Sequence, residues 1–126
     1  MRLLLDTAVL IYAVESPDRL SKRAAAALQH PGNILELSAV SLAEIAIKAS
    51  LGKLRLSAGT TRQAIRDLDL RVLPYSTDHA FQLFDLPMHH RDPFDRQIIA
   101  QALREEIPVV TPDEAFRLYK NLRTIW

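Results

Sequence analysis

Short apolar runs alternate along this chain with stretches of helical periodicity, and that alternation limits the folds open to it. Leu3-Leu4-Leu5 reads as a buried first strand, and Ile34, Leu35, Leu37 and Val40 read as a second. Val72-Leu73 and Pro108-Val109-Val110 follow as third and fourth strands, and Leu122 to Trp126 as a last edge strand. Strands separated by helices rather than by tight turns argue for βα units around a parallel sheet, an α/β fold.

The helical segments are read from spacing and from their ends. Ala8 to Val14 forms a short helix, and Leu20, Ala24, Ala27 and Leu28 share one face of the next. Pro31-Gly32-Asn33 is a turn. Ser41 is read as opening a helix that carries Leu42, Ile45, Ala46 and Ala49, with Gly52 placed to stop it. A polar helix follows over Ser57 to Leu68. Ala80, Phe81 and Phe84 belong to another, their aromatic rings read as core. Asp92-Pro93 starts a helix through Ile98, Ile99, Ala102 and Leu103, and Thr111-Pro112 starts the last.

Composition narrows the class of protein. At 126 residues the chain fits one domain, residues 1–126, with a single core, and 48% apolar with 25% charged residues argues against disorder. No cysteine is present, which excludes disulfides, thiolate metal sites and a cysteine nucleophile, and fits a reducing, cytoplasmic setting. The opening apolar run is interrupted by Asp6 and lacks a cleavage pattern after Val14, so it is read as a strand and helix rather than a signal peptide. No window of 18 apolar residues exists to span a membrane.

Carboxylates recur where helices are expected to begin: Asp6, Glu44, Asp92 with Asp95, and Asp113 with Glu114. Helix capping alone accounts for each of them singly. Ser41-Leu42-Ala43-Glu44 and Thr111-Pro112-Asp113-Glu114 fit capping boxes, Asp92-Pro93 fits a cap with proline at the first helical position, and each cap contributes about 0.5–2 kcal/mol. Their joint placement points further. Asp6, Glu44 and Asp113 each follow a strand, and in a parallel sheet those positions share one edge, where open α/β sheets bind ligands. Carboxylates converging there repel one another, and a hard divalent cation such as Mg²⁺ or Mn²⁺ relieves the repulsion.

The stretches LLLDT, SLAEIAIKASLGKLRL, HRDPFDRQIIAQA and VVTPDEAF, in this order, resemble the motifs of PIN-domain ribonucleases, most closely the VapC-type toxins of toxin–antitoxin pairs. The resemblance spans essentially the whole chain. It implies a three-layer α/β/α domain with a mainly parallel sheet of about five strands. It also implies a Mg²⁺- or Mn²⁺-dependent endoribonuclease leaving a 5′-phosphate and a 3′-hydroxyl, a homodimer, and a cognate antitoxin that blocks the site. Matched by motif, Asp6, Glu44, Asp95 and Asp113 are the catalytic and metal-holding acids. Asp92 and Asp95 lie one helical turn apart; Asp95 is assigned to the metal and Asp92 to capping, and the sequence leaves the reverse open.

Around the acids, Thr7 and Thr111 are expected to contact metal-bound water or phosphate, with capping as the equal alternative. Arg96, Arg91 and Lys48 are the candidate RNA contacts, and Lys53 and Arg55 weaker ones. Net charge is only +1, yet setting the four site acids aside leaves 16 basic against 11 acidic residues. His89-His90 lacks the i,i+4 spacing of a helical zinc pair and is read as loop. No alternation of basic and aromatic residues marks a base-stacking platform. A haloacid-dehalogenase-type phosphatase requires a second aspartate two residues after Asp6, where Ala8 stands, and a receiver domain requires a lysine just after a late strand, where none precedes Lys120. A silent module of the same fold, binding RNA or an antitoxin without turnover, is the competing reading.

Overall fold

The computed structural model describes all residues, Met1–Trp126. Its strands are β1 (Arg2–Leu5), β2 (Ile34–Ser38), β3 (Arg71–Leu73), β4 (Val109–Val110) and β5 (Thr124–Ile125). Its helices are α1 (Thr7–Glu15), α2 (Lys22–Gln29), α3 (Ala39–Ser50), α4 (Ala58–Asp67), α5 (Thr77–Gln82) and α6 (Pro93–Glu105), with 3₁₀ turns at Pro17–Arg19, Leu83–Asp85 and Glu114–Leu118. The five strands form one sheet in the order β3-β2-β1-β4-β5, and every pairing is parallel.

A parallel sheet is covered on both faces, so its inner strands are apolar throughout, as Leu3-Leu4-Leu5 is. Successive side chains alternate between faces. Leu3 and Leu5 join Val9, Leu10, Ala24, Leu37, Ile45 and Ala64 in a core contributed by α1 to α4. Leu4 joins Ile98, Ile99, Ala102, Val109 and Phe116 in a second core, built chiefly on α6 and the last 3₁₀ turn. Two cores on opposite sides of one sheet make the expected three layers.

The strand order places the functional edge. The chain winds from β1 outward to β3, then returns to lay β4 against the other side of β1. Where the order reverses, the loops leaving neighbouring strands diverge and open a crevice at their carboxyl ends. Here that crevice lies between β1 and β4, and the Asp6 N–H bonded to the Val110 carbonyl at 3.0 Å closes its floor.

Three local readings of the sequence are corrected. The helix carrying Glu44 starts at Ala39, not Ser41: the Ser38 hydroxyl accepts the Val40 N–H and caps it, while Ser41 is buried one turn in, so Ser41–Glu44 is no capping box and Glu44 sits in the second turn. Thr111 does not cap a helix with Glu114. Asp113 caps a short 3₁₀ turn through Ala115 N–H, and Glu114 is exposed. Phe81 and Phe84 are not core; they are 63% and 83% exposed and stack on each other with centroids 5.8 Å apart. The six-residue α5 turns His79 inward, which directs Phe81, two residues on, to the opposite side. Gly52 does end α3. Its φ of 71° and the Lys53 N–H to Lys48 carbonyl bond form the left-handed stop that glycine permits.

A polar chain, buried at Ser38, Gln101 and His79 and reaching the surface at Arg2, links β1, β2 and the end of β3 to α5 and α6. The Ser38 hydroxyl donates to Gln101 Oε1, and Gln101 Nε2 donates to the Pro74 carbonyl at 3.2 Å. His79 lies beside Gln101, and its Nε2 is 3.1 Å from Glu105, which in turn pairs with Arg2, itself bonded to Glu36.

Candidate active site

Five acids line one cleft of about 410 Å³ at the carboxyl edge of the sheet: Asp6, Glu44, Asp92, Asp95 and Asp113, together with Thr7, Tyr12 and Lys48. They come from four separate places in the chain, brought together by the reversal of strand order.

Asp6 occupies the N-cap position of α1 but makes no side-chain cap bond, so capping does not explain it. Its Oδ2 accepts the Thr111 hydroxyl at 2.7 Å. Only 5% exposed, its carboxyl is pushed up to about 6, first by burial and then by the charges of Glu44 and Asp113, against the Thr111 bond. Thr111 also accepts the Asp113 N–H at 3.0 Å, so one hydroxyl links the first and last acids. Thr7 points instead to α3, donating to the buried Ser41 hydroxyl at 2.8 Å and fixing α1 against α3.

Glu44, also 5% exposed, reaches the cleft from the second turn of α3. Its Oε2 pairs with Lys48 at 2.5 Å, a bond that raises the Lys48 pKa. Its Oε1 is buried with no partner, although a buried carboxylate oxygen needs a cation or donor to offset its desolvation.

Asp92 caps α6, its Oδ1 accepting the N–H groups of Phe94 and Asp95 at 2.8 and 3.1 Å. Asp95 follows in the first turn and faces the other acids. Burial first, then the charges of Asp6 and Asp92, push its carboxyl up to about 7, with the His90 ring pulling the other way. This division of labour matches the sequence-based assignment of Asp92 to the cap. Asp113 holds its own backbone turn through Oδ1 and presents Oδ2 to the site.

The basic residues divide. Lys48 lines the acid cleft, whereas Arg91 and Arg96 line a neighbouring groove with Pro93 and Gln97. The Arg96 guanidinium donates to the carbonyls of Leu86, Pro87 and His90 and so ties down the loop before α6. Lys53 and Arg55 are exposed beyond the end of α3.

Sequence reasoning missed His90. Its Nε2 lies 2.9 Å from Asp113 Oδ2 and 3.0 Å from Asp95 Oδ2, and the ligating atoms of these three residues fall within 4.8 Å of one another. Helical spacing was the wrong test for it. The available signal was its place two residues before the Asp92 cap, where the incoming loop folds back over the helix start. Tyr12 was missed too. It lines the cleft one turn into α1, with the Arg19 guanidinium 4.1 Å above its ring.

An all-oxygen set of converging carboxylates, two of them with raised pKa and one with an orphaned buried oxygen, fits a hard divalent cation. The fold and this acidic edge define the class. The chain belongs to the PIN domain family, whose profile matches residues 3–122. The fold is similar to that in the structure of VapBC2 from Rickettsia felis bound to a DNA fragment from their promoter, at 21% identity and a TM-score of 0.71, covering 98% of this chain and 97% of that one. It is also similar to VapBC-5 from Mycobacterium tuberculosis (21% identity, TM-score 0.61, 98% and 96% covered) and to DNA-bound VapBC from Salmonella typhimurium (17%, 0.63, 98% and 96%). At these identities the likeness is one of fold. No curated protein sequence is significantly similar to the chain. No helix is long and apolar enough to cross a membrane.

Proposed function

We propose that this PIN domain is a Mg²⁺- or Mn²⁺-dependent endoribonuclease, the toxin of a VapBC-type pair held in check by a cognate antitoxin. The observation that carries the reading is the buried, unpartnered Oε1 of Glu44 in a cleft walled by four other carboxylates. A site built only to fold would not leave that oxygen bare among like charges. Asp6, Glu44 and Asp95 are the residues to hold the ion, directly or through water, and Asp113 completes the set. Once bound, the ion neutralises phosphate charge and activates water for attack on a phosphodiester.

The protein's own groups do the rest. Thr111 orients Asp6 and, through its bond to the Asp113 backbone, Asp113. Lys48, paired with Glu44, is the cation lining the acid cleft and so the one to meet a bound phosphate there, while Arg91 lines the separate groove shared with Arg96. The wider VapC reading adds a homodimer and a cytoplasmic setting.

The test is cleavage of a mixed RNA pool by purified protein with Mg²⁺ or Mn²⁺, with EDTA, and by Asp6→Ala. Metal-dependent cleavage that disappears in the variant is expected. An active Asp6→Ala protein, or cleavage indifferent to EDTA, refutes the assignment.

A further inference from the structure

His90 stands inside the acid cluster, yet hydrolysis by a metal-activated water requires no histidine. Its surroundings fix both its position and its tautomer. Nδ1 lies 3.1 Å from the Asp92 backbone N–H. That amide can only donate, so Nδ1 keeps its lone pair and the ring proton resides on Nε2. Nε2–H then faces Asp113 Oδ2 at 2.9 Å and Asp95 Oδ2 at 3.0 Å. The ring packs edge-on against buried Phe116, with centroids 6.0 Å apart and an angle of 88°. The His90 carbonyl is held by Arg96 at 3.2 Å.

A nitrogen that ligates a metal must direct a lone pair at it, and in this arrangement Nε2 has none to offer. Turning the ring to supply one would strip the Asp92 N–H of its acceptor at the cap of α6. The carboxylates complete the picture. Asp113 uses Oδ1 on Ala115 N–H and Oδ2 on His90, whereas Asp95 gives only Oδ2 to His90 and leaves Oδ1 uncommitted.

We propose that His90 is a positioning residue of the ion site: its single Nε2–H, shared between Asp95 and Asp113, holds the two carboxylates together and keeps the ligand set all oxygen. The inference rests on the metal-dependent reading of the cleft given above. It assigns the ring a second consequence, specificity for hard ions, because a neutral imidazole lone pair is what draws zinc, nickel or copper into such a site. Arg96 acts one step further out, fixing the loop that carries His90.

The test uses the full chain, as wild type, His90→Ala and His90→Gln, the glutamine amide N–H being able to reach the same carboxylates. Calorimetric Mn²⁺ titration is expected to show binding weakened about tenfold or more in His90→Ala and largely restored in His90→Gln, the range typical of groups that orient metal ligands. In ¹⁵N spectra of the histidine side chains, Nε2 of wild-type His90 is expected to remain protonated before and after Mg²⁺ is added. Thermal melts of the metal-free variants report whether each still folds.

A proton lost from Nε2 on adding Mg²⁺ overturns the proposal, as does a folded His90→Gln that binds Mn²⁺ as poorly as His90→Ala. Undiminished binding in His90→Ala overturns it too. Failure of wild type to bind Mn²⁺ overturns both this inference and the metal reading beneath it. The expected pattern without RNA cleavage supports the role of His90 while refuting the nuclease assignment.

Discussion

Replacing Asp6 with asparagine removes one negative charge from the cleft while keeping an oxygen to accept the Thr111 hydroxyl, and it should stabilise the metal-free protein. Burial, with Glu44 and Asp113 adding to it, pushes the Asp6 carboxyl up to about 6 from an ordinary 3.8. A displacement of that size corresponds to about 3 kcal/mol favouring the protonated form in the folded state. The native state therefore binds the proton more tightly than the unfolded chain, and its stability falls as pH rises from about 4 to about 6, staying low above that. Asparagine is free of this penalty, which already includes the Thr111 bond that favours the carboxylate. The gain at pH 7.5 in EDTA is about 2–3 kcal/mol, or roughly 10 °C in Tm for a domain of this size. Differential scanning calorimetry of both proteins across pH 4–8 checks it. The gain should vanish near pH 4, and Mg²⁺ should raise the wild-type Tm far more than that of Asp6→Asn. A variant no more stable than wild type at pH 7.5 in EDTA, or a gain independent of pH, would refute the argument that repulsion and desolvation govern this cleft.

Two further outcomes test the scaffold. Gln101→Leu strips the fully buried Ser38 hydroxyl of its acceptor and removes the bond to the Pro74 carbonyl, so urea unfolding should show a loss of about 2 kcal/mol, and a loss below 1 kcal/mol would contradict the network. Phe84→Ser replaces a ring that is 83% exposed and should leave unfolding free energy within about 0.5 kcal/mol of wild type; a larger loss would mean that this face is covered in solution.

The sheet and the acids were legible because both rest on strong local signals. Leu3-Leu4-Leu5 can be buried on two faces only as an inner parallel strand, and Asp6 directly after it can lie only at the carboxyl edge. Finer points depended on tertiary contacts. Ser38 and Ser41 are both good caps, and the choice went to Ser38 because the buried Ser41 is engaged by Thr7 from a different element. Thr111 looked like a capping residue for the same reason, but its hydroxyl is committed to Asp6, 105 positions away. In a helix as short as α5, periodicity does not decide which face turns inward, and the buried His79 beside Gln101 decided it. His90 left one local trace, its place two residues before the Asp92 cap, while Asp113, the carboxylate that completes its role, lies 23 positions away on another element.

The reversal of strand order between β1 and β4 also ties chemistry to the completion of folding. β4 pairs with β1 through only two residues and with β5 through two, yet the loop it feeds carries Thr111 and Asp113. The first acid is synthesised at position 6 and the last at position 113, and the Thr111 hydroxyl that links them reaches Asp6 only when β4 docks beside β1. Contacts this distant in sequence form late, after the intervening loop entropy has been overcome. A chain still emerging during synthesis, or one whose β4 edge has come loose, thus holds only fragments of an ion site. The cleft exists as a unit only in the finished domain, so loss of the β4–β1 pairing and loss of the site are a single event.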